Sequence, residues 1–114
     1  MIGIKPDKNE KKQFIYVLKL VPHLLDEKNW TDTEEKIVNR HFEVLEKLQQ
    51  QGKLILAGRT MNFDEKTFGI VIFEAESEQD AYIIMGNDPA VKEKVMTAEI
   101  FPYRVALMAG MTKN

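Results

Sequence analysis

Apolar positions along the chain switch between a period of two and a period near 3.6, which separates strands from helices. QFIYVLKL (13–20) sets Phe14, Tyr16, Leu18 and Leu20 against Ile15, Val17 and Lys19. Both sets are largely apolar, so this strand is expected to meet protein on both faces. From Thr33 to Gln51 the phase changes: Ile37, Val38, Val44, Leu45 and Leu48 fall on one stripe of a helix. Gly52 then supplies the left-handed position that ends it. KLILAGRT (53–60) and TFGIVIFEAE (67–76) read as a hairpin across the polar turn MNFDEK. Ser77-x-x-Asp80 caps a shorter helix over EQDAYIIMGN, with Ala81, Ile84 and Met85 inward. AEIFPYRVALM (98–108) is the last strand, and Pro102 puts it at an edge or a bulge.

The joints are legible too. VPHLLDEKNWTD (21–32) is a long connection carrying Pro22, His23 and the only tryptophan, Trp30. Loops of that length often cover functional sites. Thr31-x-x-Glu34 spells a capping box for the helix that follows, with Asp32 and Thr33 as other candidate caps. Asp88 suits an N-cap and Pro89 a first helical position, and VKEKVM (91–96) is read as a short helical segment. Strand, helix, strand, strand, helix, strand is the split βαβ pattern of a ferredoxin-like α+β domain with a four-stranded antiparallel sheet. Its expected bounds are 13–108, with a flexible lead-in over 1–12 and a tail over 109–114. Two helices cover one face of such a sheet, so the second apolar face is expected to pair with another copy as a homodimer.

Composition narrows the function classes. The chain has 114 residues, 44% hydrophobic and 30% charged, which suits one soluble domain. A net charge of −2 with interspersed signs offers no footprint for nucleic acid. Without cysteine there is no disulfide, thiolate metal site or cysteine nucleophile. No apolar run is long enough to cross a membrane, and the start lacks a signal peptide's apolar middle; a cytoplasmic protein is expected. Two histidines without His-x-x-x-His spacing argue against a metal, and no phosphate loop or nucleophile elbow appears, so no cofactor is expected.

One residue breaks the helix pattern. His41 falls in the apolar stripe, one turn from Ile37 and one from Leu45. An imidazole carried into a packed layer needs a hydrogen-bond partner, since an unmet buried group costs about 1–3 kcal/mol. It either bonds a backbone carbonyl, as a structural histidine does, or answers a second side chain at a cavity.

His41-Phe42 on a leucine-rich helix, then Gly52, Leu56-Ala57-Gly58, the Ser77 cap and Asn87-Asp88-Pro89 stand in an order that resembles the YciI-like (YCII-related) family. The resemblance covers roughly residues 13–108. It implies a dimeric ferredoxin-like α+β barrel, similar to muconolactone isomerase, with a pocket where the helix histidine meets the aspartate of the Asp-Pro turn. On this chain those are His41 and Asp88. A few relatives are assigned elimination chemistry on hydroxylated, chlorinated aromatics. The chain departs from the common pattern in its longer first connection with Trp30, and in Arg59 where many members have proline.

An aspartate on one imidazole nitrogen fixes the tautomer and turns the other nitrogen outward as a base. The expected function is therefore a small metal-free enzyme of the lyase or isomerase type acting on a small substrate such as an aromatic or a lactone. His41 would transfer the proton and Asp88 orient it. Arg59 would clamp an anionic group, with Tyr16, His23 and Trp30 as further substrate contacts. The structural alternatives are a solvated charge for Arg59, core or interface for Tyr16, a loop cap for His23 and a loop anchor for Trp30. The competing function is a non-catalytic ligand-binding or regulatory homodimer that uses the same pocket for a small molecule.

Overall fold

The structure is a computed structural model, and it describes residues 12–110. The expected lead-in and tail lie outside the described residues, apart from Lys12, Ala109 and Gly110. In chain order come β1 (Lys12–Leu20), α1 (Asp32–Gln50), β2 (Leu54–Arg59), β3 (Gly69–Ala75), α2 (Glu78–Gly86), α3 (Pro89–Lys92) and β4 (Met96–Tyr103). Neighbouring strands are all antiparallel, in the spatial order β2-β3-β1-β4. β3 thus sits between β1 and β2, the strands that α1 connects, which makes the domain ferredoxin-like α+β.

Strand alternation sorts the sheet into two faces. Phe14, Tyr16 and Leu18 of β1 and Val71 and Phe73 of β3 are buried with Leu45 and Leu48 of α1 and Ala81 and Met85 of α2. Each such large side chain contributes roughly 1.5–3 kcal/mol by leaving water. The alternate residues point the other way: Ile15 lies between Ile72 and Phe101, and Val17 between Ile70 and Glu99. No helix of the described residues packs on that second face. β4 is an edge strand, which is where Pro102, having no N–H to give, can stand.

β2 holds one residue more than regular pairing allows. Leu54 pairs with Phe73 and Leu56 with Ile72, so Ile55 is the spare residue of a β-bulge. The bulge resets the alternation, and Leu54, Ala57 and Arg59 all share the face covered by the helices. Arg59 pairs with Gly69, where a Cβ would come to 3.3 Å from the Gly58 carbonyl oxygen. The missing side chain leaves room for the strand ends to close.

Helix α1 begins at the capping box. Thr31 is the cap: its hydroxyl accepts from the Thr33 N–H, and its own N–H donates to the Glu34 carboxylate at 2.7 Å. The Thr31 hydroxyl, which donates to the Glu34 carboxylate, and then the Thr31 N–H hold that carboxyl below the usual glutamate range. The helix closes with Gly52 at φ 73°. The connection before it winds into two 3-10 turns, Pro22–Leu25 and Glu27–Asn29. Leu24 is buried there against Ile37 and Val95.

The expected helix over VKEKVM is corrected. α3 stops at Lys92, Lys94 takes the left-handed φ of 61°, and Met96 already pairs with Leu20 in β4. Buried Val95 drives this, because its place in the Leu24–Ile37 cluster requires an extended exit from the turn. β4 accordingly spans 96–103 rather than 98–108.

Candidate functional site

A cavity of about 730 Å³ opens between α1, the 3-10 turns and the β2–β3 end of the sheet. That volume suits a small organic ligand. Helical phase carries His41 to its wall together with Val38, Phe42 and Leu45. The ring is pinned from behind. Its Nδ1 lies 2.7 Å from Oδ1 and 2.8 Å from Oδ2 of Asp88. With the carboxylate accepting, Nδ1 carries the hydrogen. Among the described residues no buried side-chain nitrogen or oxygen lacks a partner, and Nε2 has none. Nε2 is therefore the nitrogen that meets the cavity.

Asp88 is fully buried and its acceptor sites are filled. Besides His41, Oδ1 accepts the Ala90 N–H at 3.0 Å and Oδ2 accepts the Tyr16 hydroxyl at 2.7 Å. The first of these is the N-cap of α3, so a short Asp-Pro helix start fixes the carboxylate in space. Burial first, then the Asp88 charge, then the hydrogen bond to it, push the Tyr16 phenol far above its ordinary range; it stays a donor.

The other expected site residues separate. Arg59 lines the cavity, its Nε donating to the Thr60 carbonyl and its guanidinium 4.7 Å from the centre of the Phe63 ring. Trp30 lines it too, while its indole N–H is tied to the Leu24 carbonyl at 2.7 Å. Anchor and wall are the same residue. Tyr16 has no exposed surface and stands behind Asp88, not on the wall. His23 is exposed and does not line the cavity; its carbonyl accepts from the Asn29 side chain.

Residues that the sequence reading passed over complete the wall: Glu27, Glu35, Phe42, Thr67 and Phe68. Glu35, Val38 and Phe42 recur at helical spacing on the flank of the His41 stripe. Phe42, an aromatic just off that stripe and 58% exposed, was the signal available. Among the described residues no group of three His, Cys, Asp or Glu side chains gathers as a metal site.

The YCII-related domain matches residues 15–104. No curated protein matches the chain. Among solved structures, 5-chloro-2-hydroxyhydroquinone dehydrochlorinase from Burkholderia phenoliruptrix AC1100, in complex with 2,5-dihydroxybenzoquinone, is similar in fold. The two share 21% identity with a TM-score of 0.61, over 81% of this chain and 93% of that one.

Proposed function

The chain belongs to the YCII-related domain family, and from that premise we propose that it is a small enzyme of the lyase or isomerase type. The observation that carries this reading is the arrangement of His41: one nitrogen held by a sealed carboxylate, the other open to a ligand-sized cavity. An imidazole so oriented is a general base whose proton acceptor has a fixed direction. Nε2 takes a proton from the bound molecule. The electron pair left behind either forms a new double bond while the proton returns elsewhere, or expels a leaving group as its anion.

The wall points to the substrate class. Trp30, Phe42, Phe63 and Phe68 offer aromatic surface, and Arg59 offers a cation to an ionised oxygen. A small aromatic or quinone-like anion, or a lactone, fits both. The dehydrochlorinase of like fold acts on a molecule of that kind, which makes hydroxylated and halogenated aromatics the first compounds to try. Thermal shift with such a panel, followed by product analysis, tests the proposal. Turnover that His41→Gln abolishes supports it; tight binding with no turnover by any member supports a ligand-binding or regulatory module instead.

We also propose that the protein works as a homodimer. Ile15, Val17, Ile70 and Ile72 form an apolar centre on the second sheet face, with Leu56 and Phe101 exposed beside it. Ile72 is already buried within the single chain, and a second copy laid sheet to sheet would cover the other five.

A further inference from the structure

Tyr16 is the one member of the buried cluster for which the proposed chemistry has no use. It stands on β1, one of the two inner strands, and does not line the cavity. Its fully buried ring packs edge-on against Phe73, with centroids 5.6 Å apart, which leaves the hydroxyl only one direction. That direction is Asp88 Oδ2, at 2.7 Å.

Three donors thus share one carboxylate: His41 Nδ1, the Tyr16 hydroxyl and the Ala90 N–H. Each draws on the same negative charge. Ala90 is fixed by the backbone, so the phenol is the donor that a side-chain change can add or remove. We propose that Tyr16 is a positioning residue for His41: by occupying Asp88 Oδ2 it fixes the carboxylate and takes up part of the charge that the imidazole would otherwise meet alone. This rests on the reading of His41 as the proton-transferring group.

Other charges act on the ring from the cavity side. Glu27 from the connection, Glu35 from α1 and Arg59 from β2 line the same cavity as the ring. None of these works through Asp88. The effect of Tyr16 is therefore separable: without its hydroxyl, the undivided carboxylate holds the imidazolium more tightly, and His41 titrates at higher pH.

The test is a histidine NMR titration of the full chain as wild type and as Tyr16→Phe, with the signal of exposed His23 as internal reference. The expected result is a His41 midpoint raised by on the order of half to one pH unit, with His23 unmoved. Where a substrate has been found, the rising limb of the activity profile moves the same way. A lowered melting temperature with an unmoved His41 midpoint would overturn the proposal and leave Tyr16 a core residue. Should Tyr16→Phe fold poorly, uniform 3-fluorotyrosine labelling keeps the volume and strengthens the phenol donor; the midpoint must then fall, and an unmoved or raised value overturns the idea. A shifted midpoint in a protein that turns nothing over upholds the role of Tyr16 and removes the enzyme. Turnover with an unmoved midpoint does the reverse.

Discussion

Oδ1 of Asp88 accepts from His41 at 2.7 Å while it also caps α3 through the Ala90 N–H. The residue that starts a helix is the one that orients the imidazole. Folding of that turn and readiness of the site are consequently one event.

Removal of either partner should have unequal costs. Asp88→Ala strips a donor-rich cluster of its only acceptor, and a loss of about 3–5 kcal/mol is expected in urea denaturation. His41→Ala leaves Asp88 with Tyr16 and Ala90, and the space opens to the cavity, so about 1–3 kcal/mol is expected. The reverse order would show that the carboxylate is not the centre of the cluster.

Trp30 is the only tryptophan and lies on the cavity wall. Its emission should therefore change on ligand binding. Arg59→Ala should weaken an anionic aromatic roughly tenfold or more, from the loss of a charge-assisted bond, and should leave a neutral analogue nearly untouched. Equal weakening of both would assign Arg59 to packing on Phe63.

Alkaline pH should expose the buried phenol. A group whose folded value is raised stabilises the fold below its unfolded value and loses that contribution as pH climbs toward the folded one. For Tyr16 the decline begins near the ordinary phenol value of 10.0. Melting curves taken upward from there should fall less steeply in Tyr16→Phe. In a near-ultraviolet titration, one of the three phenols should ionise only as the fold is lost.

At the head of α1, Thr31→Ala should cost about 1 kcal/mol. The Glu34 carboxyl is held low by its bonds to Thr31, so its contribution is present above the ordinary glutamate value and disappears as pH falls through the depressed one. The stability gap between wild type and Thr31→Ala should narrow in acid, as read by circular dichroism.

Light scattering on a sizing column should give twice the chain mass of 13.2 kDa. Phe101→Glu or Leu56→Arg, on the second sheet face, should return it to the monomer value if that face is the interface. A wild-type monomer at micromolar concentration would refute the dimer.

Much of this molecule could be read from its residues, and the failures have identifiable causes. The six main elements and their order follow from periodicity, because long amphipathic stretches such as 33–51 and 13–20 are overdetermined. Thr31 was one of three candidate caps, and only geometry chooses among adjacent hydroxyl and carboxylate side chains. VKEKVM has good helix formers, yet one buried valine and the pairing of Met96 with Leu20 override that preference. At the site, helical phase alone put His41 in the apolar stripe. It could not aim Tyr16, since a tyrosine on a strand looks the same whether its hydroxyl reaches a cavity or a carboxylate behind it. Glu27 reaches the wall from a three-residue 3-10 turn and Phe68 from an irregular segment, neither of which leaves a period in the sequence.

The spare residue in β2 has a last implication. With Ile55 accommodated as a bulge, Leu56 looks away from the helices and Arg59 toward them. Were the strand to slide by one residue and straighten, Leu56 would turn inward and the guanidinium would swing to the far side of the sheet. The side of the sheet on which that guanidinium stands is thus set by a count of residues, before its contact with Phe63. Repacking that merely smooths this strand would carry the guanidinium away from the cavity without substituting a single wall residue.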